Sequence, residues 1–264
     1  MNNENTGKIL EIKNLFLKYH TPMGETLAIK DLNLEIYKEE FITIVGPSGC
    51  GKSTLLSLIS GLLKPSSGKI KMNTGEASCI DSVGYMLQND FLFPWRTIKQ
   101  NIFLGLEIKK IADIKHKNYA LGLLEKYGLK KFENYYPRQL SGGMRQKAAL
   151  IRTLAVNPEI LLLDEPFSAL DYQTRINISE EIRNIIKSEK KTSVLISHDI
   201  SEAICLSDRI VILSSRPSTV KKIVDIKFEE KKYSFREKLK SKKYGYYFDI
   251  VWGELSEQKT ESIF

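Results

Sequence analysis

Apolar positions along this chain follow two different periods. Residues 9–19 and 32–37 alternate in part between apolar and polar, the period of strands with one buried face, and predict a β-rich N-terminal layer. Residues 41–45 (FITIV) form a short apolar, β-branched run that stops at Gly46, and residues 160–163 form a fully apolar run bounded by Pro158 and Pro166. Short runs of this kind belong to strands buried on both faces, as in a parallel sheet. Residues 83–87, 192–196 and 209–213 read as further strands, and residues 69–72 as another after a turn signal at Ser67-Gly68. Helical spacing dominates residues 52–62, most of 97–128, 141–155 with Ser141 as N-cap, and 172–189, where Ile178, Ile182, Ile185 and Ile186 share a face. Strands alternating with helices predict an α/β fold: a mostly parallel sheet, an antiparallel β layer at the N-terminus, and an inserted α-helical subdomain at about 89–158. No internal repeat, low-complexity tract or heptad run interrupts this order.

Composition fits the picture without sharpening it. With 42% hydrophobic and 27% charged residues in 264, the chain can bury one large α/β core, so a single domain over residues 1–264 is expected. The apolar stretch 55–63 is broken by Ser57, Ser60 and Gly61, well short of the roughly 18–20 residues a membrane span needs. The polar first residues carry no apolar signal core, which predicts a protein retained in the cytoplasm. Cys50, Cys79 and Cys205 are odd in number and lack paired spacing, which argues against disulfides or structural zinc. The net charge of +8 has three readings: a solvated basic surface, contact with nucleic acid, or contact with an anionic membrane face. Much of the excess lies in a basic C-terminal tail at about 228–264, where Lys231, Lys232, Arg236, Lys238, Lys240, Lys242 and Lys243 surround Glu237. After residue 227 there is room for a helix or two, and no regulatory domain is expected.

Chemistry is concentrated in three segments. Gly46-Pro47-Ser48-Gly49-Cys50-Gly51-Lys52-Ser53 matches G-x-x-x-x-G-K-[ST] and is followed by Thr54. Lying between a predicted strand and a predicted helix, it is suited to cradle a triphosphate. Its glycines turn backbone N–H groups inward, the helix start adds about half a positive charge, Lys52 meets the β- and γ-phosphates, and Ser53 ligates Mg²⁺. Kinases, GTPases and other enzymes share such a loop, although the N-K-x-D guanine motif of GTPases is absent. The strand 160–163 runs into Asp164 and Glu165; alternation along a strand predicts opposite orientations for the pair, with Asp164 toward a metal and Glu165 toward an attacking water. Leu140-Ser141-Gly142-Gly143-Met144-Arg145-Gln146 offers a second anion-ready helix start, which one nucleotide does not need in the same chain; completion of each site by a second chain explains it economically. Cys50 reads as a small tolerated residue, with a reactive thiol as the alternative.

Over nearly its whole length the chain resembles the nucleotide-binding subunit of ABC transporters. The segment 46–54 is similar to Walker A, 140–146 to the signature, 160–165 to Walker B, and Ser168-Ala169-Leu170-Asp171 to the D-loop. The resemblance places Gln88 at the Q-loop glutamine, His198 at the switch histidine and Tyr19 at the aromatic that stacks on adenine. It implies ATP and Mg²⁺ as cofactors, with Ser53, Gln88 and Asp164 at the metal and Glu165, His198 and Lys52 catalytic. ATP would be held by Tyr19, residues 46–54, Gln88, His198 and, across a dimer, Ser141, Gly142, Gly143 and Asp171. Met144 departs from the glutamine common in the family. Residues 87–102 and 197–217 resemble importers for nitrate, sulfonates and taurine, a pattern shared with vitamin-precursor importers. The implied assembly is a homodimer working with transmembrane permease subunits, and indirectly a solute-binding protein, at the cytoplasmic face of the membrane. No nucleic acid is expected as a partner. Export, or action on nucleic acid or ribosomes, is the alternative.

Overall fold

The computed structural model describes residues 7–21, 24–73, 82–229 and 233–261 and divides into two compact units, Met1–Ile80 with Thr192–Phe264, and Asp81–Lys191. Cys79, Lys231 and Lys232 lie outside the described residues. The first unit contains β1 (Lys8–Thr21), β2 (Gly24–Tyr37), β3 (Phe41–Val45), α1 (Lys52–Ile59) and β4 (Ser67–Met72). The second contains β5 (Val83–Met86), α2 (Ile98–Ile108), α3 (Ile114–Lys126), α4 (Gly142–Leu154), β6 (Ile160–Asp164) and α5 (Tyr172–Ser188). The chain then returns to the first unit with β7 (Thr192–Ile196), α6 (Ile200–Leu206), β8 (Arg209–Leu213), β9 (Val220–Asp225), α7 (Phe235–Lys240) and α8 (Lys242–Glu261).

In the first unit β1 pairs antiparallel with both β2 and β4, giving the expected antiparallel layer. The strand read at 32–37 begins earlier, at Gly24, because its first residues are exposed and leave only a weak alternation. Gly68 lies inside β4, not in a turn before it. Its φ is +90°, and a Cβ there would stand 2.1 Å from the Asn14 carbonyl oxygen, so close approach of β4 to β1 requires glycine. β3 runs parallel between β7 and β8, with Ile44 beside Ile196 and Val45 beside Ile212. Every residue of β3 and β7 is buried, the condition for which apolar runs are selected. This register brings the chain segments that leave β3, β7 and β8 to one edge of the sheet. α1 stops at Ile59, short of the predicted 62, because Gly61 adopts φ +76° and its N–H bonds back to the Leu58 carbonyl, a left-handed helix stop.

In the second unit β5 and β6 are parallel, with Met86 beside Leu163. The helical stretch read at 97–128 is two helices, separated where Lys110 turns to φ +56° and Asp113 caps α3. A capping box of Thr97 and Gln100 starts α2, and Ser141 caps α4 as the sequence predicts.

The residues read as a basic C-terminal tail carry α7 and α8, and α8 packs into the first unit. Tyr247 and Val251 join Val45, Ile204, Ile210, Ile212 and Val224 in one apolar cluster. The Tyr247 hydroxyl accepts from the Lys227 amide at 2.9 Å. Lys238 reaches the Cys205 carbonyl oxygen and sits 5.2 Å from the Phe228 ring centroid, so part of the basic charge is spent on the protein itself. Among the described residues no helix is long and apolar enough to cross a membrane.

Val251 is fully buried, so Val251→Asp should lower the free energy of unfolding by about 3 kcal/mol, whereas exposed Lys242→Ala should change it by less than about 0.5 kcal/mol. Urea denaturation of the two variants against the parent measures both.

Candidate functional site

The loop between β3 and α1 is shaped by glycine. Gly49 and Gly51 hold φ of +73° and +112°, the second outside what a side-chain-bearing residue adopts readily. Gly51 is also the N-cap of α1 and supplies no side-chain cap, and the first turn of α1 carries no acidic residue. By contrast α2, α3, α4, α5, α6 and α7 are capped by Thr97, Asp113, Ser141, Asp171, Asp199 and Ser234. The positive end of α1 is therefore left uncompensated by its own first turn, as an anion site requires.

Lys52 is buried, and its Nζ donates to the Gly46 and Pro47 carbonyl oxygens at 2.9 Å each, which stretches the ammonium across the loop. Cys50 turns inward and is 1% exposed; a Cβ on Gly46 would meet its Sγ at 2.9 Å. Burial pushes the Cys50 thiol above its usual range, and Lys52 opposes that only in part. The reactive-thiol alternative is thereby corrected: the helix start favours a thiolate, but desolvation outweighs it. Tyr19 is half-exposed and its hydroxyl lies 3.3 Å from Thr54 Oγ1, so its ring borders the loop. Arg216, after β8, donates to the Gly49 carbonyl oxygen at 3.1 Å, a contact with no signal in the sequence pattern.

His198 leaves β7 at the same edge at which the loop leaves β3, and is exposed. Its neighbours fix the turn. Ser197 Oγ accepts from the Asp199 amide at 3.0 Å and donates to buried Glu202 at 2.6 Å, while Asp199 caps α6 through the Ser201 and Glu202 amides.

In the second unit the β5–β6 register brings Gln88 and the acidic pair to one edge. Asp164 ends β6 and accepts from the Tyr85 hydroxyl at 3.2 Å. Glu165 lies beyond the strand with φ +46°, so strand alternation is not what separates the two carboxylates. A left-handed turn does, at a cost of about 1–2 kcal/mol for a residue with a side chain. Ser168 closes that turn by donating to the Glu165 carbonyl oxygen at 3.0 Å, and accepts from Gln88 Nε2 at 3.2 Å.

Ser141 accepts from the Met144 amide at 3.3 Å; that bond uses only the backbone of residue 144, so methionine there leaves the cap intact. Gly143 leaves room for α5: a Cβ would lie 2.7 Å from the end of the Ile178 side chain, which would have to shift. Asp171 serves as the N-cap of α5, and the hydroxyl and amide of Thr174 hold its carboxyl below the usual range.

Residues 29–168, which include both the glycine loop and the acidic pair, match the ABC transporter family. The chain belongs to that family. This ABC ATPase is 43% identical over 248 residues, 94% of its length and 95% of the relative's, to the uncharacterized ABC transporter ATP-binding protein YtlC of Bacillus subtilis strain 168. It is 40% identical over 221 residues, 82% of each chain, to the nitrate import ATP-binding protein NrtD of Synechocystis sp.. Its fold matches the dimeric structure of MJ0796, a bacterial ABC transporter cassette, with TM-score 0.70 and 31% identity over 83% of this chain and 100% of that one. The expected class is thus established: an α/β P-loop cassette that binds and hydrolyses ATP.

For this ABC ATPase, Cys50 at neutral pH should be alkylated by iodoacetamide at least about tenfold more slowly in the folded protein than in urea, since few molecules carry an exposed thiolate. Mg-ATP should leave the folded rate unchanged. Mass spectrometry of the labelled peptide measures both rates.

Proposed function

We propose that this ABC ATPase is the motor subunit of an importer. It would work as a head-to-tail homodimer whose ATP binding and hydrolysis drive solute uptake through separate membrane subunits. One observation carries the reading: the same chain holds an uncapped phosphate loop at α1 and a second glycine-flanked helix start at Ser141. In a pair related by a two-fold axis, each loop meets the partner's signature helix, and both helix starts are used. The dimeric cassette to which the fold is similar supports this assembly.

Each residue then has a task. Gly46, Pro47, Ser48, Gly49, Cys50 and Gly51 line the phosphates, with backbone N–H groups of the non-proline residues turned toward them, Thr54 extends the cradle into α1, and Tyr19 stacks on the adenine. Lys52 neutralises the β- and γ-phosphates. The oxygen donors of Ser53, Asp164 and Gln88 fit Mg²⁺, a hard cation that prefers oxygen ligands. When bound, Mg²⁺ neutralises charge that develops on the phosphate oxygens. Glu165 draws a proton from the attacking water, a contribution of ~10²–10⁴-fold. His198 faces the γ-phosphate from the edge shared with the loop. Ser141, Gly142, Gly143 and Asp171 complete the partner's site. The water oxygen bonds to the γ-phosphorus as the bridging oxygen leaves with ADP.

The segment after Gln88 is suited to the membrane subunit. Phe91 and Trp95 are 54% and 70% exposed, and Trp95 stacks on Phe93 with ring centroids 5.0 Å apart. Aromatic surface of this kind is characteristic of a docking face. The ATPase would then sit peripherally on the cytoplasmic side. A small anion such as nitrate, a sulfonate or taurine, or a vitamin precursor, is the solute class; the nitrate import relative supports the anion.

Glu165→Gln keeps the side chain's shape and removes the base. The variant should pair on ATP and not on ADP, with hydrolysis reduced at least ~10²-fold. Adding Ser141→Arg should block pairing by placing a bulky side chain at the partner's phosphates. Light scattering measures mass, and a mass independent of ATP would remove the head-to-tail dimer. Lys52→Ala should abolish turnover and weaken ATP binding, as measured by phosphate release and fluorescent-nucleotide titration. The net charge of +8 favours nucleic acid as the second reading. Salt-sensitive stimulation of turnover by duplex DNA or RNA would establish it, and none is expected at physiological salt.

A further inference from the structure

The segment that carries the exposed aromatics is tied at both ends within the second unit. At one end Gln88 reaches Ser168, which closes the Glu165 turn. At the other, two arginines of α4 take hold of the turn at Asp90 and Phe91. Arg152 donates to the Asp90 and Phe91 carbonyl oxygens at 2.8 and 2.7 Å. Successive carbonyls of an extended chain point opposite ways. Here Phe91 has φ +42°, which turns both toward one guanidinium. Asp90 Oδ1 accepts from the Leu92 amide at 3.1 Å, and its Oδ2 accepts from Arg145 Nε at 3.0 Å.

Arg145 has a second contact. Its Nη1 donates at 3.0 Å to the carbonyl oxygen of Leu140, the residue immediately before Ser141. One planar guanidinium therefore spans the Asp90 carboxylate and the backbone of the loop that starts α4, with its two donors held in the fixed fork geometry that a lysine ammonium lacks. Arg145 and Arg152 lie two helical turns apart, so they project from the same stripe of α4. That helix is well buried along its length. Left-handed φ at an exposed phenylalanine is unusual, and the two arginines are what hold it.

We propose that Asp90 is a positioning residue for the Ser141 loop, acting through Arg145, and that the Phe91 turn and the signature end of α4 move as one body. Displacement of Phe91 and Trp95 by a docked partner is passed to Ser141 through a charge-assisted hydrogen bond, and through the grip of Arg152 on the turn. The tie is a property of this unit alone. Its consequence for catalysis rests on the reading above, in which Ser141 meets nucleotide held by the partner.

Hydrogen exchange on the full chain tests the tie directly. Asp90→Asn keeps the side chain's size and its bond to Leu92 but weakens the link to Arg145. It should speed exchange of the amides in 140–146 by about tenfold and leave those in 42–56 unchanged. Arg145→Gln should in turn speed exchange in 88–93. Asp90→Glu should restore much of the protection, which separates positioning from general loosening. Exchange that rises only in the substituted segment would overturn the proposal. In the Glu165→Gln background, Asp90→Asn should weaken ATP-driven pairing about tenfold while nucleotide binding to the monomer stays the same. Coupled exchange in a parent that never pairs on ATP would support the tie and remove the role assigned to Ser141. A parent that pairs, with Asp90→Asn pairing equally well and uncoupled exchange, would remove the tie and leave the dimer standing.

Discussion

A triphosphate can be neutralised by long side chains or by backbone amides, and this chain leads with the amides at the start of α1. Amides are shorter and stiffer than lysines, but they converge only if the backbone takes left-handed angles and no side chain stands in the way. Both demands fall on Gly49 and Gly51. The loop also needs a rigid base, which β3 provides because all five of its residues are buried between β7 and β8. Lys52 contributes a charge already drawn across the loop. Cys50 fills space beneath it, so its chemistry is subordinate to packing.

The acidic side of the chemistry depends on a different device. Asp164 ends a strand, and Glu165 departs from it through a strained turn held by Ser168. Strain of this sort persists only where surrounding contacts over-determine it. Gln88 is one of those contacts, and the segment beyond it is gripped by α4. In the second unit, then, hydrogen bonds tie Gln88 to the backbone of the Glu165 turn, and a second set ties the Asp90–Phe91 turn to α4 and to the Leu140 carbonyl before Ser141. Gly143 serves the same rigidity from the opposite side, since its missing side chain lets α4 lie close on α5.

The two halves of the chemistry are built differently because they bind differently. A phosphate loop must present fixed donors to a polyanion at all times, and backbone geometry secures that. In the proposed dimer a signature loop that works on a partner's nucleotide would have to respond to events elsewhere in its own chain, and side-chain ties such as Asp90 to Arg145 would allow it. The folded C-terminal helices serve the first of these needs. By packing Tyr247 and Val251 against Val45 and Ile212, they seal the sheet from which the phosphate loop springs.

Local chemistry made most of this protein legible. Apolar runs mark β3 and β6 because strands buried on both faces tolerate little else, and the glycine loop, Asp164-Glu165 and Ser141 announce themselves through spacing that few other sites share. Where burial was one-sided or short, the pattern failed. The exposed first residues of β2, the seven-residue α6 and the β9 edge each carry too few apolar repeats to stand out, and in α7–α8 the run of basic residues masked the apolar positions of α8. Contacts between residues distant in sequence left no trace at all: Tyr85 on Asp164, Arg216 on Gly49, Arg145 on Asp90. Gly68, Gly143 and Glu165 show the same limit from another side. The sequence determined which residues could serve, since residue type and spacing are local properties. Only the tertiary structure decided why Gly68 must be glycine and why Glu165 bends away from its strand, because those reasons lie in atoms that other segments bring within a few ångströms.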